Sequence, residues 1–388
     1  MKVKIGMLAA VALAASAGGA FAQTQGVSKN EIVIGTIQDL SGPIVSYSKP
    51  VVNGMRLRVD EINAEGGIHG RKLKLVIEDS GYDPKKAVLA QQKLLQRDKV
   101  FAMLGTIGTP VVGATMPLVL EKKLNHLFPL TGAAFTYEPV QKYKFQIFAP
   151  YTNTVHAALR HMIKTKGLKK VGILYQDDDF GQEVLRGAEA AVKDMGQPLC
   201  ERTTYKRGAT DFSSQIARLR DAGCDFVVLG TIVRETIGAL ATARKLGWNV
   251  EMMGSSAAYD NNIPKFGQKA VEGFYAISVQ AEPPVYATAN TRLKQWMDAY
   301  KKAYSEEPTL FATAGYTIID VFVRAAQKAG PNLTSDSLND ALEHLVVPRD
   351  YFGAPEYRFS KADHLGNKRG KITQIQNGAW VTLTDYLD

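Results

Sequence analysis

This 388-residue sequence has little of what enzyme chemistry needs. It holds only two cysteines, Cys200 and Cys224, and neither a Cys-His arrangement nor a G-x-S-x-G run that would supply an activated nucleophile. The six histidines (69, 126, 156, 161, 344 and 364) show no H-E-x-x-H or paired-ligand spacing. Asp177-Asp178-Asp179 reads as the start of a helix, with Asp179 as its cap and Gln182 at capping-box spacing, not as a metal site. There is no P-loop and no dinucleotide fingerprint, so nothing supports a nucleotide. Beyond the first residues, no apolar run reaches the roughly 18 residues that span a bilayer. The lysines come as scattered pairs, such as Lys85-Lys86 and Lys122-Lys123, with no basic stripe interleaved with aromatics, which argues against a nucleic-acid partner. The expectation is a non-enzyme with no cofactor and no metal.

What is present begins with a leader. Lys2 and Lys4 precede an apolar run from Ile5 to about Ala17, and Ala20-Phe21-Ala22 offers a small-x-small cleavage site. Residues 1–22 therefore read as a secretory signal, with the mature chain starting at about Gln23 and the product in the periplasm. A glutamine at that place, instead of a cysteine, argues against a lipid anchor. Cleavage leaves 388 − 22 = 366 residues, enough for two domains, and lowers the formal charge from +9 to +7 by removing two lysines. In such a compartment two cysteines can pair. Both, however, read as strand starts flanking a third strand, about 10 Å apart, which predicts two free, buried thiols.

Strand and helix patterns alternate. Residues 31–40, 72–80, 100–105 and 126–132 read as strands, separated by helices over 51–64, 84–97 and 110–123. The alternation starts again with strands at 169–176, 200–205, 224–230 and 251–256 and helices at 180–195, 212–222 and 235–246. Two further helices, 289–304 and 311–329, precede a hairpin signalled by Asn377-Gly378. The fold class is α/β: two Rossmann-like lobes with parallel-type sheets. Extended runs at 145–154, 275–284 and 353–367 suggest three crossovers acting as a hinge. Lobe 1 is then 23–149 with 281–353, and lobe 2 is 150–280 with 354–388.

One turn in this pattern has the chemistry of a holder. In GTIGTP (105–110) a strand feeds a helix with Thr109 as cap and Pro110 at the first helical position. Unpaired N–H groups beside the positive end of a helix suit an anion. The next strand exits through Leu130-Thr131-Gly132-Ala133, a second small loop with a hydroxyl. Side by side at the carboxyl ends of their strands, two such loops can seat a carboxylate.

The segment SGPIVSYSKPVVNGMRLRVDEINAEGGIHGRKLKLVIEDSGYDPKKAV (41–88), with FPLTGA (128–133), DDFGQE (178–183) and GATDFSSQIARLRDAGCDFVVLG (208–230), resembles the leucine/isoleucine/valine-binding proteins of bacterial ABC importers. The resemblance runs across essentially the whole mature chain. It implies a type I periplasmic binding fold, a small carboxylate-bearing ligand such as a branched-chain amino acid, an ABC permease partner and a monomer. It also implies site roles: Tyr47 as the cleft aromatic of the first lobe, Thr109 on the ligand carboxylate, and Thr131, Gly132 and Ala133 around the head group. Phe180 and Ile232 stand at aromatic positions of the second lobe, and Phe311 closes over the ligand side chain. Where the family carries an acid for the ligand ammonium, this chain has Ser255, Ser256 and Ala257. Either Asp260 or Glu235 substitutes, or the ligand has no amino group, as in aromatic or aliphatic acids. Tyr82 and Gly108 stand near the positions of the family's first-lobe disulfide. A role in transport and a role beside a membrane sensor both fit these residues.

Overall fold

A computed structural model describes residues 24–280 and 291–388. The predicted leader, the start at Gln23, the lobe limit at 281 and the first residues of the helix expected from 289 lie outside them. The first strand, β1 (Glu31–Gln38), is buried almost throughout because helices cover both faces of its sheet. Around it β2 (Lys72–Asp79), β3 (Ala102–Leu104), β4 (Asn125–Leu127) and β5 (Lys144–Phe145) form a parallel sheet in the order β2-β1-β3-β4-β5. Helices α1 (Val45–Ala64), α2 (Pro84–Gln96) and α3 (Thr109–Glu121) connect its strands. Asp83 starts α2 by accepting from the N–H groups of Lys85 and Lys86, with Pro84 at the first turn, where its missing N–H costs nothing.

The chain then enters α4 (Tyr151–Lys166) and builds a second sheet from β6 (Val171–Gln176), β7 (Arg202–Tyr205), β8 (Phe226–Gly230), β9 (Glu251–Gly254) and β10 (Tyr275–Ser278). Its connecting helices are α5 (Asp179–Asp194), α6 (Ser213–Asp221), α7 (Val233–Lys245) and the short α8 (Asn262–Gly267). After β10 the chain returns to the first sheet with α9 (Thr291–Tyr304), α10 (Leu310–Ala329), α11 (Ser335–Glu343) and the small pair β11 (Val346–Val347) and β12 (Tyr357–Arg358). A last passage leads to the hairpin β13 (Lys371–Gln376) and β14 (Ala379–Thr382), turned at Asn377 and Gly378, both at positive φ as this turn requires. β13 pairs antiparallel with β10, so the second sheet, β14-β13-β10-β9-β8-β6-β7, is mixed. The molecule is thus an α/β protein of two lobes, and the chain passes between its sheets three times, the second time through residues outside those described.

Two glycines set the most intimate contact in the first lobe. A Cβ on Gly54 of α1 would lie 1.9 Å from the Ala312 carbonyl oxygen, and one on Gly315 of α10 would lie 2.1 Å from the Val51 carbonyl oxygen. The two helices therefore cross backbone against backbone, which only glycine permits. The crossing brings Tyr47 and Phe311 into a stack with centroids 4.3 Å apart.

The structure overturns the expectation of free thiols. Cys200 and Cys224 form a disulfide, with Cα atoms 5.9 Å apart. Neither belongs to a strand: β7 starts at Arg202 and β8 at Phe226, so both stand in the preceding turns. The intervening strand β6 carries Gly172, where a Cβ would sit 2.8 Å from the Cys224 Sγ. The bridge passes over the middle strand at the place where that strand has no side chain.

Candidate ligand-binding cleft

Between the sheets lies a cavity of about 90 Å³. One water occupies roughly 10–15 Å³ on that measure, so the space takes a small organic molecule. Eight of the nine residues expected at a site line it: Tyr47, Thr109, Thr131, Gly132, Phe180, Ile232, Ser256 and Phe311. Ala133 does not. It is fully buried behind the loop, where its N–H donates to the Thr131 hydroxyl oxygen.

The fold aims helix starts at this cavity. Tyr47 is in the first turn of α1, Thr109 opens α3, Tyr151 opens α4 and Phe180 is the second residue of α5. Ile232 directly precedes α7, and Leu310 and Phe311 open α10. Six partial positive charges therefore converge. No Asp, Glu, Lys, Arg or His lines the cavity among the described residues. Its polar groups are hydroxyls, main-chain atoms and the Gln280 amide; the rest is aliphatic or aromatic.

Details at two helix starts differ from expectation. Gly108, not Thr109, occupies the cap position of α3, and no side chain caps that helix. The Thr109 hydroxyl instead meets the Thr131 hydroxyl at 2.6 Å. The ring of Tyr82 covers Gly108, where an added Cβ would meet Tyr82 Cε2 at 2.5 Å. The aromatic side chain thus fills space at one of the two positions where the resembled family carries cysteines. On α5 the cap is Asp178, accepting from Phe180 and Gly181, and not Asp179. Asp177 pairs with Lys206.

The lobes touch across the cleft. The Tyr47 hydroxyl donates to the Ala257 carbonyl at 2.6 Å, Arg207 donates to the Tyr82 carbonyl at 3.0 Å, and the Ala134 N–H donates to Glu183 at 3.0 Å. Burial, then the charges of Asp260 and Glu235, push the Tyr47 phenol well up; burial alone leads the rise of Tyr151 to about 12. Both phenols stay protonated, and so remain donors, at neutral pH.

The two acids considered for an ammonium stand outside the cavity lining. The Asp260 side chain accepts from the Asn262 N–H, and burial raises its carboxyl to about 6. Glu235, in the first turn of α7, is fully buried with both oxygens unbonded, and its burial also pushes the carboxyl up. Sequence reasoning missed Tyr82, Tyr151 and Gln280 as lining residues. Tyr151 had a signal: it follows Pro150 at the end of the first extended run, at a helix start.

The profile of the periplasmic binding protein family matches residues 31–379. The chain belongs to that family. Among its relatives, the leucine-specific-binding protein of Salmonella typhimurium is 25% identical over 334 residues, which cover 85% of this chain and 89% of that one. A fatty acid ABC transporter substrate-binding protein from Thermomonospora curvata superposes with a TM-score of 0.84 at 25% identity, covering 94% of each chain. A branched chain amino acid ABC transporter protein from Thermus thermophilus with bound valine superposes at 0.83 with 18% identity, covering 93% of this chain and 97% of that one. The relatives of this periplasmic binding protein are substrate-binding proteins, and its family name implies the periplasm.

Proposed function

We propose that this periplasmic binding protein is the solute-receiving component of an ABC importer, and that its ligand is a small carboxylate without an amino group. The observation that carries the ligand class is the cavity lining: six helix N-termini converge on a space with no acid in its wall among the described residues. A carboxylate is stabilised there by N–H groups, hydroxyls and helix dipoles. An ammonium group would enter the same field unpaired, at a cost of several kcal/mol. The relatives' names span leucine, valine and fatty acid, so either chemistry lies within the family's range.

In this reading the seat is Thr109, Thr131 and Gly132 on lobe 1, with Ala133 shaping the loop from behind. Phe180, Ile232 and Ser256 close from lobe 2, and Tyr47 with Phe311 covers the ligand tail. The working division is 23–149 with 281–353 against 150–280 with 354–388. Ligand contacts made by both lobes shift the hinge toward the closed arrangement, which a permease in the inner membrane would read. The mature protein, freed of its leader, acts as a periplasmic monomer.

Matched pairs test the ligand class: leucine against isocaproate, and valine against isovalerate, each differing only by the amine. Binding to the native state raises the melting temperature. Isocaproate, isovalerate or benzoate should do so at concentrations where leucine and valine do not. Stabilisation by leucine alone sinks the amine-free reading. It would favour a second one, in which the unbonded carboxyl of Glu235 turns to receive the amine; Glu235→Gln should then abolish the leucine effect.

A further inference from the structure

The two aromatic rings that meet at the lobe-2 side of the seat are not equivalent. Tyr151 and Phe180 pack edge to face, with centroids 5.2 Å apart and planes at 70°. Only Tyr151 has a polar tip, and that tip faces the Thr131 hydroxyl and the Gly132 N–H. Thr131 in turn meets Thr109 at 2.6 Å. Three hydroxyls, from α3, from the loop after β4 and from α4, thus lie in sequence along one wall of the cavity.

Tyr151 is also fixed to that loop through its main chain. Its N–H donates to the Gly132 carbonyl at 2.9 Å. A Cβ on Gly132 would lie 2.7 Å from both the Tyr151 nitrogen and the Ala149 carbonyl oxygen, and 3.1 Å from the Tyr151 Cγ. Gly132 is therefore bare where Tyr151 lies against it. By sequence Tyr151 opens a lobe-2 helix, yet it is tied to lobe 1 at the first crossover.

We propose that Tyr151 is a specificity-determining residue whose hydroxyl donates directly to the ligand carboxylate, completing a seat of three hydroxyls. This rests on the carboxylate reading above. Without ligand the Thr109 and Thr131 hydroxyls bond each other; a carboxylate entering beside them accepts from Tyr151 and Thr109. A buried phenol needs a hydrogen-bond partner, and the partners this one has are the groups of the seat. Because Tyr151 is tied to lobe 1, the head group is held before lobe 2 closes.

Tyr151→Phe tests this with isocaproate and benzoate as probes in titration calorimetry. A lost hydrogen bond to a charged group should weaken the acid that binds wild type by about 10- to 100-fold, with the ligand-free melting temperature unchanged. The infrared carboxylate stretch of bound, isotope-labelled benzoate should shift between wild type and Tyr151→Phe, which a purely structural role of the ring would not cause. Unchanged affinity in Tyr151→Phe overturns the inference and leaves the carboxylate reading intact. If wild-type protein binds neither these probes nor isovalerate, the amine-free reading falls and this inference falls with it.

Discussion

The two walls of the cleft are built differently. Lobe 1 offers short loops and hydroxyls, Thr109 and Thr131 with the bare backbone of Gly132. Lobe 2 offers Phe180, Ile232 and Ala257, relieved mainly by Ser256 and by Tyr151 at the hinge. A charged head group needs directional donors fixed in advance, and lobe 1 supplies them on a sheet buried on both faces. An apolar tail needs only exclusion of water, which a moving wall of rings and aliphatic side chains provides. On the proposed reading the head group is held by lobe 1, while the tail is bounded by Tyr47 and Phe311 of lobe 1 and closed over by lobe 2.

The contrast can be broken or sharpened by substitution. The largest effect is expected from Gly315→Ala, which drives a methyl group into the Val51 carbonyl and parts α1 from α10. It should lower stability to urea by about 3 kcal/mol, the upper range for overpacking, and loosen the Tyr47–Phe311 stack with it. Unaltered stability would mean that the helices can slide apart freely. Next comes Thr109→Ala, which removes a hydroxyl from the polar wall; carboxylate affinity should fall about 10- to 100-fold, while Thr109→Ser retains most of it. An equal loss in calorimetry for both variants would assign Thr109 to packing alone. The smallest and most diagnostic change is Ser256→Asp, which places an acid on the lobe-2 wall. It should move the leucine-to-isocaproate affinity ratio toward leucine by about tenfold, the worth of a modest charged contact. A ratio that stays put would show that the amine is excluded by something other than a missing acid.

Much of this arrangement could be read from the residues. The alternating periods gave both lobes, and Asn377-Gly378 marked the hairpin because two successive residues at positive φ leave few other choices. Thr109 and Thr131 were legible because hydroxyls and glycines at the exits of adjacent parallel strands must come together. Cys200 and Cys224 misled for a physical reason. Strand spacing governs residues inside a sheet, whereas these two stand in turns that lean over Gly172, and a one-dimensional pattern does not show which way a turn leans. The caps at Gly108 and Asp178 fell one residue before those expected, since neighbouring residues of similar propensity compete for a helix start. Tyr151 stayed hidden because its approach to Gly132 joins two lobes through the hinge.

Three of the bonds that join the jaws share one habit: they pair a side chain from one half with a main-chain atom of the other, as Tyr47 does with Ala257, Arg207 with Tyr82, and Glu183 with Ala134. A carbonyl or amide is present whatever residue bears it. Substitutions at Ala257, Tyr82 or Ala134 can therefore remodel the mouth of the cleft without deleting the atoms on which shutting depends, and a descendant of this protein can change its diet while keeping its bite.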